Sequence, residues 1–461
     1  MLFKNITIVD ELFRVKENVC VGTIGDRIVY IGDEEPGKET CDELAKKYSK
    51  ELEEFIPKCN CHRPEKFHPV FYEEYDGTGK VLMPGFYNAH GHSPMCLMRG
   101  YGENLTLDRW LNDKIFPFED KLTSNAVYWG TLLTMAESLR FGIVSTSDMY
   151  YFIDDMVRAI SVSGMKSNIS RAVTSFDMKR LEDCVGYKEM REAIMMYDGF
   201  QNGKIQVEAS VHAEYTNNEF FVRAIADAAK EFDVRMHVHV SETKSETDGC
   251  IERYGRTPTE FLADCGVFDV PANAAHCVWL TDRDRDILAE KGVSVSSNTA
   301  SNLKLASGMC NVPALYEKGI NVAIGTDSTA SNNSLNFFEE MKLFALTGKI
   351  VANYPSVLTP QQVLYSATRA GALAQGREDC GLIKEGFKAD LIVVDASCPN
   401  MHPVHNMLNN LIYSADGKDV LLTMVDGEVL YREGEYKNID IEQTIVEADK
   451  ATRDILNLLD R

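Results

Sequence analysis

Two histidines one residue apart, His90 and His92, close the stretch Pro84-Gly85-Phe86-Tyr87-Asn88-Ala89-His90-Gly91-His92. In an extended strand, residues i and i+2 share a face, so both imidazoles point to one side, where neutral ring nitrogens can hold a divalent ion. A second cluster, His237-Val238-His239-Val240-Ser241-Glu242, ends another apolar run and sets a carboxylate three residues beyond His239. Ala274-Ala275-His276-Cys277 and Ile324-Gly325-Thr326-Asp327 each finish an apolar segment on a side chain able to ligate or move a proton. Taken singly, each reads more readily as a hydrogen-bonded core histidine or a solvated acid. A buried Asp, however, is rare unless paired or metal-bound. Three imidazoles and one carboxylate gathered at one mouth are a donor set for zinc or ferrous iron, with a position left for water. An ion so held makes water nucleophilic near neutral pH.

Such residues need a frame that brings distant segments together. After His92 the chain alternates apolar strands with amphipathic helices. Strands are expected at Ile143–Asp148, Ile205–His212, Val234–Val240, Ala274–Val278, Val293–Ser297 and Val322–Gly325, and helical periodicity runs over Ala126–Arg140, Phe220–Phe232 and Asp282–Lys291. The alternation implies a parallel sheet. Polar side chains (His90, His92, Asp148, His212, His237, His239, His276, Asn298, Asp327) fall at the C-terminal strand ends, where a (β/α)8 barrel builds its site. The Gly-rich phosphate loop of a doubly wound sheet is absent from the first strand. The fold expected is therefore α/β, a TIM-like (β/α)8 barrel over residues 81–380. Residues 1–80 add short strands with turns at Gly25-Asp26 and Gly32-Asp33, and residues 381–461 add strands over Ala389–Asp395 and Val420–Tyr431, a hairpin turn at Asp426-Gly427, and a terminal helix at Ile441–Leu459. The two chain ends are expected to pair into a small β-sandwich domain. A charged, helical insertion interrupts the first of them at about 34–74. Its Cys59, Cys61, His62 and His68 lack the paired Cys-x2-Cys spacing of a structural zinc site.

Composition bounds the partners. The chain has 461 residues, 44% hydrophobic and 26% charged, with 31 Gly and 14 Pro, as in a globular protein with a substantial core. A formal charge of -22 argues against nucleic acid or an anionic membrane as partner. No apolar run reaches the roughly 20 residues of a membrane span, and the first residues lack a basic-then-apolar signal. The 12 cysteines are scattered along the chain and read as reduced thiols, which makes the cytoplasm the expected compartment.

The motifs together carry a resemblance. Pro84-Gly85-Phe-Tyr-Asn-Ala-His90-Gly-His92, Leu97-Met-Arg99-Gly100, Trp110-Leu111, Pro117-Phe-Glu119-Asp120, His239-Val-Ser-Glu242-Thr243, Ala275-His276-Cys277, Ser301-Asn302-Leu303-Lys304-Leu305, Gly325-Thr-Asp327-Ser-Thr-Ala-Ser331-Asn332-Asn333 and Gly381-Leu-Ile-Lys-Glu385-Gly386-Phe-Lys-Ala-Asp390 stand in this order. The sequence resembles the amidohydrolase superfamily, in its branch of deaminases of 5'-methylthioadenosine and S-adenosylhomocysteine, with atrazine-chlorohydrolase-like enzymes as relatives. The likeness spans nearly the whole chain and fails mainly over 34–74.

The resemblance implies one divalent metal, Zn2+ or Fe2+, on His90, His92, His239 and Asp327, with no match to the bridging lysine of binuclear members. It implies Glu242 as the proton shuttle, His276 as the group orienting the attacking water, and Asp327 as both ligand and proton acceptor. For substrate it implies Glu119 on the ribose hydroxyls, His212 at the purine, Trp110 as an aromatic wall and Ser331 as a hydroxyl beside the metal. Arg171 and, through a looser match, Arg180 correspond to arginines on a homocysteine carboxylate. The expected reaction is hydrolytic deamination of an adenosine-type nucleoside (5'-methylthioadenosine, S-adenosylhomocysteine, 5'-deoxyadenosine or adenosine) to the inosine analogue and ammonia, by a homodimer or homotetramer. Deamination or dechlorination of another N-heterocycle (guanine, a pterin, a triazine) is the alternative, and a non-catalytic barrel scaffold the remote one.

Overall fold

The computed structural model describes residues 1–55 and 70–459, so Cys59, Cys61, His62 and His68 lie outside the described residues. Eight strands follow one another in strict order: Phe86–Gly91, Ile143–Tyr150, Lys166–Arg171, Ile205–Val211, Met236–Val240, Ala272–His276, Ser294–Ser297 and Val322–Ile324. Every adjacent pair is parallel. The last strand meets the first through Asp327 N–H on His90 O (3.0 Å) and through the Asn88 amide, which bonds both Thr326 N–H (2.9 Å) and Thr326 Oγ1 (2.7 Å). These contacts bring the sheet nearly to closure as a barrel. Strands covered on both faces should be buried throughout, and all eight residues of Ile143–Tyr150 are. Gly325 is required at the seam: a Cβ there would lie 2.2 Å from Asn298 Oδ1 and 3.0 Å from His90 N.

The helices between strands have local causes. Thr123 caps Ser124–Arg140 by accepting from Ala126 N–H, and Asn218 caps Glu219–Phe232 by accepting from Phe221 N–H. Thr243 and Glu246 form a reciprocal capping box at Lys244–Tyr254. The apolar stripe Phe221, Val222, Ile225, Ala226, Ala229 turns Glu219–Phe232 onto the barrel.

A second sheet, mixed and nine-stranded, is built from both ends of the chain. Lys80–Pro84 is its centre, parallel to Leu2–Val9 on one side and antiparallel to Leu391–Asp395 on the other. Val15–Ile24 and Arg27–Gly32 extend one flank, and Val420–Val425 with Glu428–Arg432 the other. Asp426 (φ 48°) and Gly427 (φ 75°) are both left-handed, as a tight hairpin between right-twisted strands requires. Ile28 N–H donates to Phe387 O and Ala389 N–H to Asp26 O. The sheet thus curls over a core of Phe3, Ile6, Ile8, Leu82, Leu391, Val393 and Met424. The helices Lys38–Lys47 and Ser49–Phe55 fall in the segment expected as an insertion, and their buried Cys41 and Leu44 pack with Leu2, Ile24 and Phe71.

Where sheet and barrel meet, Lys166 at the start of the third barrel strand is buried with its ammonium 2.5 Å from Asp390 and 2.7 Å from Asp426. Tyr87 OH also donates to Asp390. The terminal helix Ile441–Leu459 lies on the barrel flank, and Thr452 Oγ1 donates to Leu97 O. Among the described residues no helix is long and apolar enough to cross a membrane.

Candidate metal centre and substrate pocket

His90, His92, His239, His276 and Asp327 all reach the C-terminal mouth of the barrel from four different strand ends. Donor atoms of His90, His92 and Asp327 lie within 4.8 Å of one another, as do those of His90, His239 and His276. His92 Nε2 and His90 Nε2 are 3.3 and 3.7 Å from Asp327 Oδ1. His92 Nδ1 donates to Met149 O and His239 Nδ1 to His212 O, both at 2.6 Å, which leaves each Nε2 as a lone pair facing inward. His90 is fully buried, and its Nε2 has no hydrogen-bond partner. An orphaned, buried imidazole nitrogen beside a carboxylate and two further aimed lone pairs is what a divalent ion would satisfy. The residues present fit such an ion.

Asp327 is held at both oxygens, with Ser301 Oγ donating to Oδ2 (2.6 Å) and Ser328 N–H to Oδ1 (2.7 Å). Glu242 stands opposite, its Oε2 3.7 Å from His276 Nε2 and its Oε1 accepting from Ser307 Oγ at 3.2 Å. Burial raises the Glu242 carboxyl above its usual range, against the pull of His276. His276 is fixed through Nδ1 by Asn302 Oδ1 at 2.8 Å. Ser241, His276, Cys277 and Asp327 all adopt positive φ (50°, 73°, 50° and 58°). Non-glycine residues in that region cost about 1–3 kcal/mol each and gather at functional sites. Here each turns a strand end sharply so that its neighbours face the mouth.

One cavity joins these groups to the substrate candidates. Glu242, His276, Asp327, His92 and His239 line it together with Trp110, Glu119, His212 and Ser331. Burial pushes the Glu119 carboxyl up to about 7 and His212 down to about 4. Ser331 Oγ lies 2.8 Å from Ser301 Oγ, whose one proton goes to Asp327, so Ser331 donates to Ser301 and is tied through it to Asp327. Phe116, Glu119, Tyr151 and His212 also line an adjoining compartment of about 660 Å³, and Arg171 lies there. The Arg171 guanidinium stacks 4.7 Å over Tyr151 and its Nε donates to Glu189 at 2.7 Å. Arg180 is not brought to either cavity. The loop after the third strand turns it outward, and its side chain, 70% exposed, pairs with Glu182.

Several residues of the site did not stand out in the sequence. Ser301 and Asn302 fall within the matched Ser-Asn-Leu-Lys-Leu run, and that was their only signal. Ser307 and the carboxylate Glu208, which lies behind the histidines, carry none.

A family model described as the amidohydrolase family matches residues 81–430. A 5-methylthioadenosine/S-adenosylhomocysteine deaminase of Dictyoglomus thermophilum is 40% identical over 384 residues, covering 83% of this chain and 89% of the relative. A 5'-deoxyadenosine deaminase of Methanosarcina mazei is 40% identical over 382 residues, covering 83% and 88%. Among solved structures, an adenosine deaminase from Xanthomonas campestris with bound zinc superposes with a TM-score of 0.87 at 29% identity, over 99% of this chain and 98% of that one. The zinc complex of atrazine chlorohydrolase from Arthrobacter aurescens, at 20% identity, shares the fold, with a TM-score of 0.85 over 98% and 99%. By its matched motifs, its barrel and its histidine-rich mouth, the chain belongs to the amidohydrolase family.

Proposed function

We propose that the protein hydrolytically deaminates adenosine-type nucleosides, with a zinc ion held by His90, His92, His239 and Asp327. The observation that carries the reading is one cavity lined by His92, His239 and Asp327, with His90 within reach of Asp327 behind them, by Glu242, whose carboxyl burial raises, and, farther out, by Glu119. The ion's contribution, when bound, is Lewis acidity that makes water nucleophilic. Asp327, its oxygens fixed by Ser301 and Ser328, accepts a proton from the attacking water. His276, locked by Asn302, orients that water. As the water oxygen adds to the amine-bearing carbon, Glu242 protonates the adjacent ring nitrogen. Asp327 passes the proton it took from the water to the amine, the carbon–nitrogen bond breaks and ammonia leaves, and the new hydroxyl returns a proton to Glu242 as the inosine analogue forms. Glu119 accepts from the ribose hydroxyls, and His212 and Trp110 hold the base.

For the 5' side, the adjoining compartment favours a tail without a carboxylate. Arg171 is already paired with Glu189, Arg180 is outside, and Asp154, Asp155 and Glu192 add negative charge beside apolar Phe152, Phe176 and Met196. A methylthio or hydrogen substituent at the 5' carbon meets no repulsion there. A relative named for 5'-deoxyadenosine agrees with such a tail, whereas the one named for 5-methylthioadenosine and S-adenosylhomocysteine includes a carboxylate-bearing tail as well. We also read the protein as a homodimer or homotetramer, because Val185, Met195, Met196 and Phe200 leave apolar surface exposed along one segment. Sedimentation that finds only monomer would refute this.

The test is ammonia release by zinc-loaded protein from adenosine, 5'-methylthioadenosine, 5'-deoxyadenosine, S-adenosylhomocysteine, adenine, guanine and a triazine, with Glu242→Gln as control. Turnover of the 5'-substituted adenosines, abolished in Glu242→Gln and with kcat/KM lower for S-adenosylhomocysteine, is the expected result. Silence on every nucleoside with turnover of guanine or the triazine would transfer the assignment to a free heterocycle.

A further inference from the structure

The histidines at the barrel mouth are not supported alike. His92 and His239 each give their Nδ1 proton to a backbone carbonyl, whereas His90 Nδ1 lies 2.9 Å from Nε2 of another histidine, His237. We propose that His237 and Glu208 form a positioning relay behind His90 that fixes its tautomer and sets the affinity of the metal site. The inference rests on the metal reading above but not on the identity of the substrate.

The argument follows the protons. Two ring nitrogens at 2.9 Å share one hydrogen. The inward-facing Nε2 of His90 must be a lone pair to ligate, so the proton sits on His90 Nδ1 and His237 Nε2 accepts it. A neutral His237 then carries its own proton on Nδ1. That atom faces Glu208 Oε2 at 3.5 Å, longer than a formed hydrogen bond, and each of the two buried atoms is otherwise without a hydrogen-bond partner, so only the other is placed to satisfy it. The second oxygen of Glu208 accepts from Asn168 Nδ2 at 2.9 Å and lies 3.7 Å from Arg235 Nε. Asn168 is anchored in turn by Arg377 Nη2 at 3.0 Å on its Oδ1. The hydrogens of His90 and His237 thus point toward the carboxylate, and those of Arg377 and Asn168 point toward it from the other side.

Two observations set this apart from incidental packing. His237 and Glu208 are 0% and 1% exposed, in the interior of a barrel whose layers are ordinarily filled by apolar side chains. Burying an imidazole and a carboxyl there is costly unless both are used. His237 also shares a strand face with His239, two residues on, yet lies one layer deeper. It therefore reaches the back of His90 rather than the mouth.

Because partners behind a ligand orient it and raise its basicity, disrupting them commonly costs about 10–100-fold in metal affinity. The discriminating variant is Glu208→Gln. If its amide nitrogen faces His237, two donors meet and the tautomers along the row invert, which places a proton on His90 Nε2. The flipped amide would set its nitrogen against Asn168 Nδ2, which Arg377 on Asn168 Oδ1 and Gln375 O hold in place, so the nitrogen is expected to face His237. His237→Leu removes the acceptor altogether, and His237→Gln returns a carbonyl oxygen near the former Nε2.

Zinc dissociation constants, measured on the full-length proteins by competition with a chromophoric chelator, are expected to weaken roughly 10–100-fold in Glu208→Gln and His237→Leu. His237→Gln should recover part of the loss. Melting temperatures of the metal-free proteins separate this from a folding defect. If His237→Leu does not fold, Glu208→Gln carries the decision. Wild-type zinc affinity in Glu208→Gln, or no rescue by His237→Gln over a folded His237→Leu, overturns the relay. A wild-type protein that binds no divalent ion overturns the metal reading and the relay with it. Zinc binding without nucleoside turnover overturns only the proposed function.

Discussion

Replacing Lys166 by methionine should destabilise the protein without touching its chemistry. Lys166 and Asp390 are 3% and 0% exposed at the side chain, so the variant strands a carboxylate in the interior. Burial alone would raise the Asp390 carboxyl, but Lys166 beside it holds it below its ordinary value. In the variant Asp390 keeps Tyr87 OH and Asp426 N–H (2.8 Å) but no cation, while Asp426 keeps only Lys388 at 3.6 Å. Removing one partner of a buried pair costs about 3–5 kcal/mol. With an unfolding entropy near 2.1 cal/mol/K per residue, the 461-residue chain has about 1 kcal/mol/K, so Tm should fall by roughly 3–5 °C if it melts as one unit. The cluster lies at the strand start, away from the mouth, so kcat at 25 °C should be unchanged. Because the wild-type Asp390 pKa is depressed, its contribution is present above the unfolded Asp value of about 3.9 and is lost as pH falls through the folded value. The Tm gap between wild type and variant should therefore narrow toward acid pH. Adding Asp390→Asn to Lys166→Met should recover part of the loss. Calorimetry across pH tests this. A Tm for Lys166→Met within a degree of wild type at pH 7, or a gap that widens in acid, would refute the reasoning.

With Glu119 raised to about 7 by burial, protonation below that pH removes the acceptor proposed for the ribose hydroxyls. In the wild type, kcat/KM for 5'-methylthioadenosine should fall as pH drops through about 7. That limb should be absent in Glu119→Gln, whose pH profile checks it. Ser301→Ala removes a 2.6 Å hydrogen bond to the Asp327 carboxylate, worth about 1.5–3 kcal/mol. Steady-state kinetics should show kcat lower by roughly 10- to 150-fold, with zinc content, read by atomic absorption, retained.

The barrel was legible where an apolar strand stops on or just before a histidine or aspartate, as at Phe86–Gly91, Ala272–His276 and Val322–Ile324, and less so at the polar Lys166–Arg171 and Ser294–Ser297. The eye needs only period two and the final residue to find His90, His92, His239, His276 and Asp327. Even the hairpin at Asp426-Gly427 follows from residue type. What the pattern conceals is depth. His237 and His239 are indistinguishable by periodicity, and only the stagger of neighbouring strands decides that one faces the mouth and the other the back of His90. Ser301, Asn302 and Ser307 sit just past the seventh strand, where small polar residues ordinarily serve turns and caps, so their aim at Asp327, His276 and Glu242 is a tertiary fact. Arg180 illustrates the converse. A motif match places a residue in a loop, but the loop's course, with Ser175 and Phe176 N–H both bonded to Thr216 O, decides whether it faces the pocket.

The position of Lys80–Pro84 between Leu2–Val9 and Leu391–Asp395 bears on how the chain is made. At about 5–20 residues per second, the strand waits roughly a quarter of a minute to a minute after synthesis for its second neighbour, some 300 residues downstream. Through that interval one edge of Lys80–Pro84 offers unpaired backbone groups to any other nascent strand. A chain truncated after residue 380 would retain every expected metal ligand and still leave that edge open, so its insolubility would report on an unfinished sheet and not on the catalytic mouth.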